Sequence, residues 1–514
     1  MAMGRRKQHQ EQMFSTPARG GGHRFYAALN KILDKARFDE KVEALCAPYY
    51  EEDDKPGRPS VAPGIFFRML LVGYFEGIGS ERGIAWRCAD SMSLRDFLNL
   101  ATHVPVPDQS TVSRTRRRLP PDVFDSVFQT VLGLVEEHGL FKGRVRGVDS
   151  TYLKADASMR SIVRTDTGEG YRDYIKRVTA EDEAAEKSGG SDSDDDSSGG
   201  GSSPVTVDDK STEGAVSASE PNASPRMVTA EEAVRHDRTR KKSTSNKDWL
   251  SPMDSDARIT RMKNGTTRLA YKAEHVVDME SGVILAAEIF KGTEHDAATI
   301  ASSLAAAEKN IAASREGNLA TDEFVGELWH KQPTAEVVAD KGYHKASTLL
   351  ALKERGYRTF IPERKQHGQR TFADKGGKPA AQAFHANRAR TSRRKGKDHQ
   401  RRRGEMLERP NQHLYDRGDL RELTVTGQVN VKKRVLIQAA AFNLGAVMRK
   451  LLGAGAPKWL VARMGVLAAI WTALKELIAR RWKGARRHQN RSCSAARWLW
   501  RCAFDEIGLS TSAC

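Results

Sequence analysis

A chain of 514 residues is long enough for two or three domains, and 39% hydrophobic with 29% charged residues describes a folded protein carrying some polar, unstructured stretches. The formal net charge of +18 points to a polyanionic partner, because each phosphate neutralised by lysine or arginine releases condensed counterions. The five cysteines, Cys46, Cys88, Cys493, Cys502 and Cys514, have no CxxC or Cys/His spacing and argue against a disulfide framework or a zinc site. No apolar run follows the basic start MAMGRRKQHQ, and the stretch 464–474 falls far short of the ~20 residues of a membrane span, so a signal peptide and a membrane protein are not expected.

In chain order, residues 1–22 read as a disordered basic N-terminus and 23–140 as a helical domain. PGIFFRMLLVGYFEGIG places Ile65, Phe66, Met69, Leu70 and Gly73 on one helical face, with Pro63 suited to the first turn. SERGIAWRCAD predicts a helix begun by Ser80, and LRDFLNLA another. Asp108 or Ser110 then caps a short helix carrying Arg114, Arg116, Arg117 and Arg118, which Pro120 and Pro121 separate from the next. From residue 144 the character changes. VRGVDSTYLKADA reads as a strand, and a Gly-, Ser- and Asp-rich insertion at about 184–224 cannot bury a core. LAYKAEHVVD and GVILAAEIF form a hairpin over 269–290, 297–313 is an Ala-rich helix, and VVAD is a short buried strand ending at Asp340. A helix near 345–355 and a strand, YRTFIPE, lead into the basic run NRARTSRRKGKDHQRRR, read as a loop. VLIQAAAFNLGAVMRKLL is helical by the recurrence of Leu436, Ala440, Leu444, Val447 and Leu451. The domains expected are therefore 23–140, an α/β domain over 144–452, and a basic helical tail over 453–514.

Asp149 lies within a predicted strand, and Asp340 at the carboxyl end of another, where open α/β sheets usually bind their ligands. A carboxylate in a central strand is costly unless paired, hydrated or bound to metal, and two on neighbouring strands repel until a cation intervenes. Hard oxygen ligands suit Mg²⁺ or Mn²⁺. A third carboxylate must come from elsewhere, and RRRGEMLERP offers Glu405 and Glu408. Asp156 and Asp278 also lie near the expected sheet, Asp278 as a turn residue closing its strand. Arg114, Arg116, Arg117 and Arg118, on a helix-turn-helix-like pattern, are candidates for backbone phosphate contact. The run over 388–403, ending in Arg401, Arg402 and Arg403, suits sequence-independent DNA binding.

The segments PDQSTVSRTRRRL, VDSTYLKADASMRSIVRTDTGEGY, KAEHVVDMESGVI, VVADKGYH and RRRGEMLER…HLYDRGDLREL…G…KKRVLIQAAAFNLG, in that order, resemble DDE-type bacterial insertion-sequence transposases. The resemblance implies an all-α N-terminal DNA-binding domain and an α/β catalytic domain with an RNase H-like mixed sheet. By position it assigns Asp149, Asp340 and Glu408 as catalytic carboxylates and metal ligands, with Glu405 as the rival to Glu408. The family usually carries an aromatic shortly after the glutamate, whereas Pro410 and Asn411 follow here. Lys341 and Tyr343, directly after Asp340, become candidate contacts to phosphate or to the cleaved end. The implied activity is two-metal, Mg²⁺- or Mn²⁺-dependent cleavage at insertion-sequence ends and strand transfer into target DNA. The implied partners are double-stranded terminal inverted repeats and target DNA, with a homodimer in the synaptic complex and a cytoplasmic, nucleoid-associated location. The alternative is a transposase that binds DNA without cutting it.

Overall fold

The computed structural model describes residues 23–50, 60–188, 245–316, 335–364, 372, 377–460, 471–472 and 474–476. The N-terminal region is helical: α1 (Arg24–Lys35), α2 (Phe38–Cys46), α3 (Pro63–Glu76), α4 (Glu81–Asp90), α5 (Met92–Phe97), α6 (Gln109–Arg118) and α7 (Pro121–Glu137). The start signals work as expected: Pro63 opens α3, the Ser80 hydroxyl accepts from the Gly83 amide, and Asp108 rather than Ser110 caps α6. The face expected on α3 does not describe it. Ile65 and Leu70 are only half-buried, whereas Phe67, Arg68, Leu71 and Val72 are buried, because neighbouring helices cover α3 on nearly every side. Arg68 sits wholly inside this layer. Its guanidinium donates to both Asp39 oxygens at 2.9 Å, to Asp34 at 3.0 Å and to Asn30, tying α3 to α1 and α2.

The second region is built on a six-stranded sheet of β1 (Val145–Lys154), β4 (Arg258–Arg261), β5 (Thr267–Asp278), β6 (Ile284–Lys291), β7 (Glu336–Ala339) and β8 (Arg358–Phe360). The path runs β4-β5-β1-β7-β8, with β6 also paired to β5. β5 is antiparallel to β1, β4 and β6, while β7 is parallel to β1 and β8 to β7. Asp278 ends β5 as a turn residue: its carboxylate accepts from the Glu280 amide and the Ser281 hydroxyl. Two short strands, β2 (Val163–Arg164) and β3 (Trp249–Leu250), pair beside α8 (Tyr171–Ser188), with Trp249 edge-on to Tyr171 and Tyr174. The first residues of the expected acidic insertion are helical. Residues 184–188 complete α8, and the rest of that insertion lies outside the described residues.

α9 (Asp296–Glu316) covers one face of the sheet, and α10 (Ala346–Glu354) links β7 to β8. The basic run expected as a loop is helical, spanning α11 (Gly377–Ser392) and α12 (Arg394–Asp416). Straight-chain Lys, Arg, Gln and Glu lose little rotamer freedom in a helix, and the inward positions fix it to the sheet. Asn387 brackets the Ile361 backbone at 3.1 and 2.8 Å, Gln400 donates to the Phe360 carbonyl at 2.6 Å, and Leu407 lies against Gly147 of β1. α13 (Gln428–Leu452) is the shared core helix, packed on α3, α7 and β6, and its Asn443 brackets the Ile284 backbone at 2.9 and 2.8 Å. The stretch Gln428–Leu460 is long and apolar enough to cross a membrane, but 72% of its most apolar window is buried. The helices of the N-terminal region and the sheet belong to one compact unit, Met1–Pro457. Most of the expected C-terminal tail, and the expected disordered start over 1–22, lie outside the described residues.

Candidate active site

The parallel pairing of β1 and β7 ends at Val148 opposite Ala339. The next residue on each strand is Asp149 and Asp340, so the register brings the two carboxylates side by side where β7 finishes. Asp340 leaves the strand as the cap of a single 3-10 turn, Lys341–Tyr343, its Oδ1 accepting from the Gly342 amide at 2.7 Å. Burial pushes the Asp149 carboxyl above its ordinary range and the charge of Asp340 adds to the rise, while Lys263 and Arg403 pull against it. From α12, the Asn411 amide donates to Asp149 Oδ2 at 3.1 Å. His275 faces Asp149 across the β1/β5 register, fully buried. Burial pushes it down to about 4, against an opposing pull from the neighbouring Asn411 side chain.

Glu408 lies one turn before Asn411 on α12 but is exposed, its carboxylate turned back toward Gly404. Glu405 is also exposed and pairs with Arg409 at 3.0 Å along the helix. Among the described residues no three acidic, histidine or cysteine side chains are gathered closely enough to hold a metal ion. Asp149 and Asp340 fit the hard-oxygen demand of a divalent cation as a pair, and the fit stops at two.

The expected basic contacts divide. Arg114 and Arg117 are exposed on α6, and Arg118 is exposed with its guanidinium 5.0 Å from the Tyr50 ring. Arg116 points inward and is 8% exposed, with Nε donating to Glu81 at 2.7 Å, so in this structure it ties α6 to α4 instead of facing DNA. Tyr343 is likewise unavailable: it is 1% exposed and its hydroxyl donates to Glu274 at 3.0 Å. Lys341 is exposed at the mouth of the pair. Arg401 is exposed and pairs loosely with Asp398, and Arg402 donates to the Met279 carbonyl at 3.1 Å. Arg403 turns toward Asp149, with a buried Nε that has no hydrogen-bond partner among the described residues.

Sequence reasoning passed over Asn411, His275, Lys263 and the buried Glu274. It also missed Trp86, 67% exposed on α4 one turn beyond Arg82, whose Nε donates to Gln109 of α6 at 3.0 Å. An exposed tryptophan among arginines is a signal that the ERGIAWR segment carried.

Two adjacent carboxylates, Asp149 within β1 and Asp340 just past the end of β7, bordered by arginine and lysine, are equipment for chemistry on a phosphate-bearing polymer. Two family models match the chain: Transposase domain (DUF772) over residues 14–118 and Transposase DDE domain over residues 233–483. The chain belongs to the DDE-type insertion-sequence transposases, enzymes that act on DNA. No curated protein and no solved structure matches it. The second match includes Asp340 and Glu408, whereas Asp149 falls between the two. The place of Asp149 in the site therefore rests on the strand register that sets it beside Asp340.

Proposed function

We propose that this transposase catalyses metal-dependent cleavage at insertion-sequence ends and strand transfer into target DNA. The observation that carries the reading is the adjacency of Asp149 and Asp340 at the end of the parallel β1/β7 pair. The order β6-β5-β1-β7-β8, antiparallel in its first three strands and parallel in its last two, supports an RNase H-like sheet. In the proposed reaction water attacks phosphorus, the bond to the leaving 3′ oxygen breaks, and the freed 3′-hydroxyl later attacks a target phosphate. No covalent protein intermediate is needed. Mg²⁺ or Mn²⁺, one or two ions, supplies charge neutralisation for the in-line displacement. Asp149 and Asp340 hold the cation, Asn411 fixes the rotamer of Asp149, and Arg403 and Lys263 receive the phosphate that enters beside them. Glu408 joins by a rotamer change that carries its carboxylate from solvent toward the pair, whereas Glu405 is engaged with Arg409.

Terminal inverted repeats lie, in this reading, across the face shared by α4 and α6, where Arg82, Trp86, Arg114 and Arg117 are exposed. Target DNA is met by Lys341 and by Arg401 and Arg402 of α12. A homodimer synapsing two ends, in the cytoplasm at the nucleoid, completes the proposal. The second reading, a transposase that binds without cutting, draws support from the outward Glu408 and from Pro410 and Asn411 behind it. The test is cleavage of a plasmid bearing the element's terminal repeats in Mg²⁺. Wild type should cut, and Asp149→Ala, Asp340→Ala and Glu408→Ala should each lose at least about a hundredfold in rate. Repeat-specific binding by the wild type without cutting selects the second reading, and full activity of Glu408→Ala removes that residue from the site.

A further inference from the structure

Behind the aspartate pair, on the opposite face of the sheet, lies a charged cluster whose cost needs an explanation. Lys272 and Glu274 of β5 have fully buried side chains, 3.5 Å apart. Burying such a pair is seldom a net gain in stability, since an apolar pair of the same volume would serve as well or better. Every oxygen of Glu274 is nevertheless engaged: Oε1 accepts from Ser303 at 2.6 Å, and Oε2 from Thr299 at 2.7 Å and Tyr343 at 3.0 Å. Lys272 donates to Thr299 at 2.8 Å and to Asp296 at 3.2 Å.

Two arms leave this centre. One is Tyr343, which closes the turn that begins at Asp340. The other is Asp296, whose Oδ1 accepts from Ser150 at 2.9 Å, the residue next to Asp149. Asp296 also lies against the turn that begins at Asp340: a Cβ on Gly342 would stand 2.5 Å from Asp296 Oδ2 and 2.7 Å from Asp340 Oδ1, so a larger residue there would push both carboxylates aside. The register sets Glu274 and Ser150 on the face away from Asp149. Ser150 lies opposite Glu274 and Asp149 opposite His275, and alternation sends the two pairs to opposite faces.

We infer that Glu274, acting through Tyr343 and, with Lys272, through Asp296 and Ser150, is a positioning residue that fixes the Asp340 turn relative to the Asp149 strand. Directional hydrogen bonds from one centre hold both carboxylates to one spacing, and a displacement of about 1 Å at such a site costs roughly a hundredfold in rate. The inference rests on the reading of Asp149 and Asp340 as the catalytic pair.

The test uses the full-length protein and the variants Glu274→Gln, Tyr343→Phe, their double and Asp340→Asn. Four quantities are measured: single-turnover cleavage of terminal-repeat DNA, binding of that DNA, binding of Mn²⁺ alone to the metal-free protein, and thermal unfolding. Tyr343→Phe removes a single hydroxyl and keeps the inference testable if Glu274→Gln folds poorly. Folded Glu274→Gln and Tyr343→Phe should each cleave about tenfold or more slowly and bind Mn²⁺ more weakly, with DNA affinity within about twofold of wild type. The double should be no slower than the worse single variant, because both substitutions cut the same arm. Cleavage that falls only in step with DNA binding or with the folded fraction overturns the inference. Loss of cleavage in Asp340→Asn with full activity in Glu274→Gln and Tyr343→Phe overturns it alone, whereas wild-type cleavage by Asp340→Asn overturns the catalytic pair and the inference together.

Discussion

Asp149 sits between a hydrogen-bond donor and a buried imidazole, and each makes a separable prediction. Asn411 supplies the one side-chain hydrogen bond described to the Asp149 carboxylate, at 3.1 Å. Asn411→Ala should slow cleavage about tenfold while leaving terminal-repeat binding intact, as measured by single-turnover kinetics and anisotropy. His275 stays neutral when folded, its pKa pushed down to about 4 by burial, whereas the unfolded chain takes its proton near 6.5. The folded pKa is depressed, so the stability it contributes is complete above about 6.5 and is lost as pH falls toward 4, by about 3 kcal/mol in all. Urea unfolding of wild type at pH 7 and pH 4.5 should show this loss, and His275→Gln should flatten it. An equal pH response in the variant would assign the effect elsewhere. The two aspartates were legible in VDST and ADKGYH because strand placement and family pattern agree on them. Asn411 was not, since only the packing of α12 over β1 shows which of its residues meets Asp149. Tyr343 was misread because an inward strut and an outward contact look alike in a four-residue motif.

Helix α6 shows how a charge run divides once its neighbours are known. Its arginines read as one basic face, but the 3.6-residue period turns Arg116 into the interior, where Glu81 meets it. Arg114→Ala and Arg117→Ala should each weaken terminal-repeat binding and lower the salt slope of affinity by roughly one counterion. Trp86→Ala should weaken the same binding with its salt slope unchanged, since an aromatic contact displaces no counterion. Arg116→Ala should leave the slope alone and cost roughly 3 kcal/mol of stability, because it strands a largely buried Glu81. Titrating binding against salt for these four variants separates the two roles. Elements with strong periodicity, such as α7, β5, β6 and α13, were legible; the helical state of α11 and α12 was not, because a dense basic run looks the same in a loop and on a solvated helix. The short pair β2 and β3 left no sequence signal, each being two residues long.

At the scale of the molecule, α13 joins what the sequence presents as separate regions. Its residues from Val431 to Met448 are largely buried, and Lys432 bridges Asp125 of α7 and Glu288 of β6, each at 3.3 Å. Leu444→Ala, at a fully buried position, should therefore cost about 2–5 kcal/mol and destabilise helical region and sheet together. Hydrogen exchange that slackens in only one of them would separate the two. This union was hidden in the sequence because α13 is distant in the chain from α3, α7 and β6, on which it packs. In the proposed function, cutting of DNA needs Asp149 and Asp340 together. The most direct measurement is the release of 3′-hydroxyl ends from terminal-repeat DNA by wild type, Asp149→Asn and Asp340→Asn at equal DNA occupancy in Mg²⁺. Wild type should release these ends and neither variant should; undiminished release by either would remove that aspartate from the chemistry.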